Sequence, residues 1–308
     1  MKALTFQRYG KSPGLGITEV PRPVLKPDEL LVEVHAAGVN PIDNRLMTGA
    51  FKPVVKLELP ATVGSDVAGI VVEVGSRVKR FKPGDAVFAS VFDLGRGSIA
   101  EFVAVPESVA AHKPANLDFV QAASIPMVGL TAWQALKERI GLRAGQKVFI
   151  PAGSGGIGSF AIQLAKQLGA RVGTTTSTLR DYDAVLGTVK GDAIEKSIGI
   201  LKPGSSIVSL VGPLDAAFAR TRGLNGMLRI VFCLMSRKIL RLAGKRGVRY
   251  SFLFMRPDGG QLADIGELLA SERIRPVIDK VFDFEQAADA LRHLAQGRSR
   301  GKVVIKIK

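Results

Sequence analysis

From the amino end to about residue 115, short β-branched runs alternate with glycine and proline turns: LLVEVHAAGVN (30–40), VAGIVVEVG (67–75), KPGDAVFAS (82–90) and AEFVAVPE (100–107). Short strands at this spacing predict a small all-β domain of barrel type. The pattern changes near Phe119, where VQAASIPMVGLTAWQALKE (120–138) reads as an apolar helical stretch. A strand, KVFIP (147–151), and a glycine-rich turn into a helix follow. Strand alternating with helix predicts a parallel α/β sheet. After Phe254, the helix GGQLADIGELLASE (259–272) and the strands PVIDKVFDF (276–284) and KVVIKI (302–307) return to the first domain. The pattern therefore divides the chain into 1–118, 119–254 and 255–308.

The candidate chemistry lies in KVFIPAGSGGIGSFAIQLAKQLGARVGTTT (147–176). An apolar strand runs into Gly153, Ser154, Gly155, Gly156, Ile157 and Gly158, a GxGxxG turn. The helix after it places Ile157, Ala161, Leu164, Ala165 and Leu168 on one face, and a second strand completes the unit. A turn without side chains lets backbone N–H groups approach a pyrophosphate, and the helix N-terminus favours the negative charge. The glycine pattern alone would also suit a structural turn. Between strand and helix it predicts a dinucleotide site. An NAD-preferring site would offer Asp or Glu at the end of the second strand, whereas this chain offers Thr174, Thr175, Thr176 and Ser177, with Arg180 nearby. No carboxylate there repels a 2′-phosphate, which points to NADPH.

Composition narrows the class. Of 308 residues 46% are hydrophobic and 23% charged, which is globular, and no apolar run reaches the ~18 residues of a spanning helix. MKALTFQRYG reads as a strand, not as a secretory signal. A single cysteine, Cys233, excludes an internal disulfide and a cysteine-rich metal cluster and fits a cytoplasmic setting. The net charge of +16 favours anionic ligands or surfaces: a nucleotide phosphate, a membrane face or nucleic acid.

The order of features resembles the medium-chain dehydrogenase/reductase superfamily, in its zinc-independent quinone oxidoreductase and enone reductase branch. The resemblance rests on AGVNPIDNRLMTG (37–49), LPATVGSDVAGIVVEVG (59–75), FKPGDAVFA (81–89), AASIPMVGLTAW (122–133), AGSGGIGSFAIQLAKQLGA (152–170), LKPGSSIVSLVG (201–212) and GKVVI (301–305). It implies a GroES-like β-barrel catalytic domain with a Rossmann-type doubly wound sheet, a homodimer, and hydride transfer from NADPH to a quinone or an α,β-unsaturated carbonyl. By position in the motifs, Asn40 and Arg45 are the catalytic candidates. Arg45, Thr131, Gly153, Gly155, Gly156, Ile157, Gly158, Thr175, Thr176, Ser177, Leu210, Val211, Gly212 and Lys302 are the cofactor contacts. Zinc-dependent relatives place a Cys where this chain has Asn40, and a His-Glu pair where it has Ser65 and Asp66. None of those ligands is present here, and no metal is expected. His35, His112 and His293 do not fall at ligand spacings, and His35 reads as a structural histidine in a strand.

Quinone reductases of the branch tend to carry Tyr where this chain has Arg45, and enone reductases a basic residue, which points to enones. A guanidinium stays protonated, so Arg45 would stabilise charge or hold phosphate, with water as the final acid. The plainer roles are a solvated arginine for Arg45 and a turn residue for Asn40.

In the resembling family a helix and an edge strand separate the strands matching ARVGTTT and DYDAVLGT; here both are missing. In the order 3-2-1-4-5-6 the absent third strand would be the outer edge. The chain must still cross about 17 Å of strand length and about 10 Å sideways, and residues 176–182 reach about 24 Å when extended. Either a segment is lost from this chain, or the edge is rearranged as an antiparallel hairpin through TSTLRD, or the resemblance fails there. The first is preferred, with the doubly wound sheet lacking one edge βα unit.

Residues 225–246, NGMLRIVFCLMSRKILRLAGKR, predict a basic amphipathic helix. Leu228, Phe232, Met235, Ile239 and Leu242 share one face, with Arg229, Arg237, Lys238, Arg241 and Lys245 opposite. The apolar stripe is expected to pack on its own domain or on a dimer partner, and a weak contact with an anionic membrane is the alternative. A catalytically impaired dinucleotide-binding protein with a basic nucleic-acid- or membrane-binding surface is the rival function. Nucleic acid is disfavoured by 6% aromatic content and the lack of any recognition signature.

Overall fold

In the computed structural model, which describes residues 1–174 and 180–308, the amino-terminal apolar runs are strands. They are β1 (Lys2–Phe6), β2 (Gly16–Glu19), β3 (Glu29–Val39), β4 (Ala61–Thr62), β5 (Asp66–Val74), β6 (Ala86–Ser90), β7 (Phe102–Pro106) and β8 (Ala110–His112), with helix α1 (Pro41–Met47) after β3. Helices α2 (Phe119–Ala123) and α3 (Pro126–Trp133) follow. Next come β9 (Lys147–Phe149), α4 (Gly156–Gln167), β10 (Arg171–Gly173), β11 (Tyr182–Gly187), α5 (Ala193–Ile198), β12 (Leu201–Ser209), α6 (Ala216–Thr221), α7 (Gly226–Lys245) and β13 (Arg249–Phe252). The chain closes with α8 (Gly259–Ala270), β14 (Ile278–Asp283), α9 (Ala287–Ala295) and β15 (Lys302–Lys306).

One unit comprises Met1–Leu130 with Arg256–Lys308, the other Thr131–Met255. The division falls at Leu130, later than the change of hydrophobic pattern at Phe119, because α2 packs on β3 and β5 of the first unit. In that unit β14, β15, β3, β5, β6 and β8 lie side by side in that order, β7 pairs with β3, and β2, β1 and β4 form a second sheet. Leu30, Val32, Val34 and Ala36 of β3 are buried, as are Leu31, Ala37 and Val39 on its other face, as befits a strand covered on both sides. The carboxy-terminal β15 runs antiparallel to β3, with Val303 opposite Val39 and Ile305 opposite Ala37.

The second unit is built on a five-stranded sheet in the order β10-β9-β11-β12-β13, every pair parallel. In doubly wound terms this is 2-1-4-5-6. Among the described residues no third strand lies beyond β10, which is the sheet edge. Both β10 and β11 run parallel to β9, so the antiparallel hairpin is not the arrangement adopted. Gly158, Phe160, Ala161, Leu164 and Ala165 of α4 are buried, while Ile157 and Leu168 are half-exposed, so the packed face is turned from the expected one.

Candidate active site

In the first unit a set of polar side chains is shut inside an apolar core. Asn40 caps α1 at the end of β3, and its backbone N–H donates to Asp43 Oδ2 at 2.7 Å, so a carboxylate in the first turn anchors the helix start. The Ser65 hydroxyl donates to Asp43 Oδ1. Asn40 Nδ2 donates to Asp66 Oδ2 (2.9 Å), and the Met127 backbone N–H donates to Asp66 Oδ1 (2.8 Å). From β15, Lys302 Nζ donates to Asn40 Oδ1 at 2.6 Å, to the Val39 carbonyl at 3.1 Å and to Asp66 Oδ2 at 3.2 Å. Every donor position of the ammonium thus has an acceptor.

Burial sets the electrostatics of this group. Removal from water pushes the Asp43 carboxyl up to about 7, against the hydrogen bonds from Ser65 and Asn40, and the nearby Asp66 charge pushes the same way. Asp66 is also raised by burial, opposed first by the Lys302 charge and then by its hydrogen bonds. Arg45 lies in the last turn of α1, half-exposed.

These residues do not fit zinc. The positions that supply ligands in zinc enzymes of the resembling family hold an amide, a hydroxyl and a carboxylate, and the amide and carboxylate oxygens already face an ammonium. Among the described residues no group of three His, Cys, Asp or Glu side chains could hold a metal ion. The three histidines lie apart: His35 stacks on Phe119 (4.2 Å between ring centroids), His112 on Phe81 (4.6 Å), and His293 pairs with Asp279.

In the second unit, Ala152 holds φ +54 where β9 gives way to the glycine turn. A Cβ on Gly158 would come within 2.3 Å of the Ala152 carbonyl oxygen, so this glycine lets α4 press against the end of the strand. A Cβ on Gly155 would meet only that same oxygen, at 3.5 Å, so the outer side of the turn is open. Gly155 is the N-cap of the twelve-residue α4 and makes no side-chain capping bond, which leaves first-turn N–H groups for an anion. The chain leaves β9 toward β10 on one side and β11 lies on the other, so the turn sits at the switch point where dinucleotides bind.

Thr188 Oγ1 donates to the Pro151 carbonyl (2.6 Å), and the Leu210 N–H donates to the Gly187 carbonyl (2.9 Å). These bonds gather the carboxyl ends of β9, β11 and β12. Leu210 and Val211 are half-exposed there, with Gly212 at φ +103, while Thr131 in α3 is buried. A dinucleotide phosphate therefore fits the turn. Thr175, Thr176 and Ser177 lie outside the described residues. Thr174, which follows β10, carries no carboxylate, and Asp183, at the opposite, amino end of the sheet, is held by the Lys147 N–H (2.8 Å) and Lys202 Nζ (3.0 Å).

The sequence singled out Asn40 and Lys302, which the fold brings together, but passed over Asp43 and treated Ser65 and Asp66 only as missing ligands. A signal existed: Asp66 opens the apolar strand DVAGIVVEV, where a charged residue needs a buried partner.

Two family models match: a zinc-binding dehydrogenase model over residues 166–305 and an alcohol dehydrogenase GroES-like domain over 26–115. The mitochondrial NAD(P)H oxidoreductase RTN4IP1 of Danio rerio is 33% identical, with 100% of this chain and 91% of that protein aligned. That alignment runs over 355 positions against 308 residues here, so at least 47 of them face no residue of this chain. The chloroplastic NADPH-dependent alkenal/one oxidoreductase of Arabidopsis thaliana is 33% identical over 99% of this chain and 79% of its own. Among solved structures, the quinone oxidoreductase from Coxiella burnetii superposes with a TM-score of 0.85 at 30% identity, covering 100% of this chain and 99% of that one.

Proposed function

Because the chain belongs to the zinc-independent quinone oxidoreductase and enone reductase branch of the medium-chain dehydrogenase/reductase superfamily, we propose that NADPH is its reductant and the C=C bond of an α,β-unsaturated carbonyl its acceptor. As a member of that branch it is an oxidoreductase that uses a reduced nicotinamide dinucleotide on a quinone or an enone. The finer choice of cofactor rests on Thr174, the residue that follows β10, which carries no carboxylate. The name of the Arabidopsis relative points the same way.

Bound reduced nicotinamide supplies the hydride. The glycine turn and the α4 N-terminus hold the pyrophosphate, and Leu210, Val211 and Gly212 border the same sheet end. Arg45 stabilises the enolate oxygen that develops as the β-carbon is reduced, and water protonates the α-carbon. Asn40 is oriented by Lys302 and Asp66, and its second amide hydrogen is left for the acceptor carbonyl. Lys302 acts here by positioning Asn40, with no direct cofactor contact required. The active species in this reading is a cytoplasmic homodimer joined at β13, which ends the five-stranded sheet.

The test is a pair of fluorescence titrations with NADPH and NADH, followed by turnover of 2-cyclohexenone and 1,4-naphthoquinone with 4-deuterated NADPH. Tighter NADPH binding and deuterium at the β-carbon of cyclohexanone are the expected results. Equal affinities, or reduction of the quinone alone, would reject the reading.

A further inference from the structure

The outward face of α7 carries two sets of side chains in succession. Phe232, Ser236, Ile239 and Ala243 are its buried residues, and Phe232 packs on Phe218. Leu228 and Leu242 of the expected stripe are half-buried beside them, but Met235 is 51% exposed. At the helical repeat, the side opposite this buried row carries Met227, Ile230, Val231 and Leu234 in its first half. These are 76%, 64%, 40% and 61% exposed. Arg237, Lys238, Arg241 and Lys245 continue the same face in the second half, all exposed. Lys238 pairs with Glu195 from α5, and the helix itself contains no acidic residue.

We propose that this face docks the protein on an anionic phospholipid bilayer, independently of the substrate the enzyme reduces. Four large apolar side chains in contiguous turns are more than scattered surface residues, and an interfacial helix buries such a patch at the level of the acyl boundary. The cations that follow along the same face then meet the lipid phosphates. The charge of +16 on the whole chain adds long-range attraction to such a surface. A second copy of the chain is a poorer occupant, because its own α7 would bring cations and no carboxylate to these cations. Nucleic acid would use the cations but leave the apolar half uncovered. No described helix is long and apolar enough to cross a membrane, so the contact is peripheral.

The experiment is co-sedimentation of the full chain with vesicles of phosphatidylserine and phosphatidylcholine in equal parts, and with phosphatidylcholine alone. Wild type should pellet with the anionic vesicles, less so in high salt, and hardly with the neutral ones. Ile230→Glu/Leu234→Glu and Arg237→Glu/Arg241→Glu should each weaken binding by about tenfold or more. Both pairs face solvent, and unchanged circular dichroism and melting temperature establish that the variants fold. Wild type that stays in solution with both vesicles overturns the proposal, as does Ile230→Glu/Leu234→Glu pelleting like wild type. Failure to pellet, combined with a dimer that the same variant splits in light scattering, would assign the face to a second copy.

Discussion

Lys302 Nζ stands 3.2 Å from Asp66 Oδ2, with the two side chains 5% and 0% exposed. The pair joins the last strand of the chain to β5, and Asn40 bridges it with one bond to each partner. A buried ion pair contributes little net stability over an apolar replacement, but loss of one partner strands the other's charge in the core.

Lys302→Met should therefore destabilise the protein by about 3–5 kcal/mol, read from urea unfolding midpoints. The double variant Asp66→Asn/Lys302→Met should recover a large part of that loss, because no unpaired charge remains. Strict additivity of the two single changes would mean that the residues are not coupled.

Asp43 makes stability depend on pH with a defined sign. Its carboxyl is pushed from 3.8 up to about 7, so over that interval the folded chain keeps a proton that the unfolded chain has lost. Stability falls as pH rises from 3.8 to about 7 and levels off above, by an amount on the order of 4 kcal/mol at most. Asp66, also raised, adds to the same slope. Asp43→Asn should flatten the dependence in urea midpoints measured across the interval, and an unchanged slope would assign it to other groups.

Gly158→Ala and Gly155→Ala separate packing from binding in the glycine turn. The first puts a Cβ 2.3 Å from the Ala152 carbonyl and should both destabilise the fold and abolish saturable NADPH fluorescence. The second has 3.5 Å of room and should leave the melting temperature near wild type while weakening the cofactor. Equal melting temperatures for both variants would contradict the close approach of α4 to β9.

Arg45→Met tests the proposed role of this charge at the acceptor. An oxyanion-stabilising guanidinium predicts a fall of about 10²-fold in kcat/KM for an enone, carried mainly by kcat. A change confined to the KM for NADPH would make Arg45 a phosphate contact instead.

Much of the fold was legible because it depends on period and punctuation. The alternation before residue 115, the strand–glycine–helix unit at 147–170 and the missing edge βα unit all reappear, the last as a sheet that, among the described residues, stops at β10. The site was legible only in part. Asn40 and Lys302 could be named from their motifs, but they lie 262 positions apart, and their 2.6 Å bond depends on β15 pairing with β3, which no local pattern encodes. Helix α7 shows the same limit. Phe232 and Ile239 of the expected stripe face inward, but apolar residues surround most of the helix, so periodicity alone could not show that Met235 is exposed or that Ile230 and Leu234 form an outward apolar face.

The pairing of β15 with β3 also orders events during synthesis. The second unit, 131–255, is contiguous and has left the ribosome while the final strand is still untranslated. The first unit is interrupted, and Val303, Ile305 and Leu291 belong to the same core cluster as Leu4 and Val39. Until residue 302 emerges, Asp66 has no cation, so the amino-terminal half must wait, with strand edges open, for the carboxy terminus. Nascent chains halted before residue 302 should resist protease within 131–255 and be cut within 1–130, the reverse of the order in which the two segments are made.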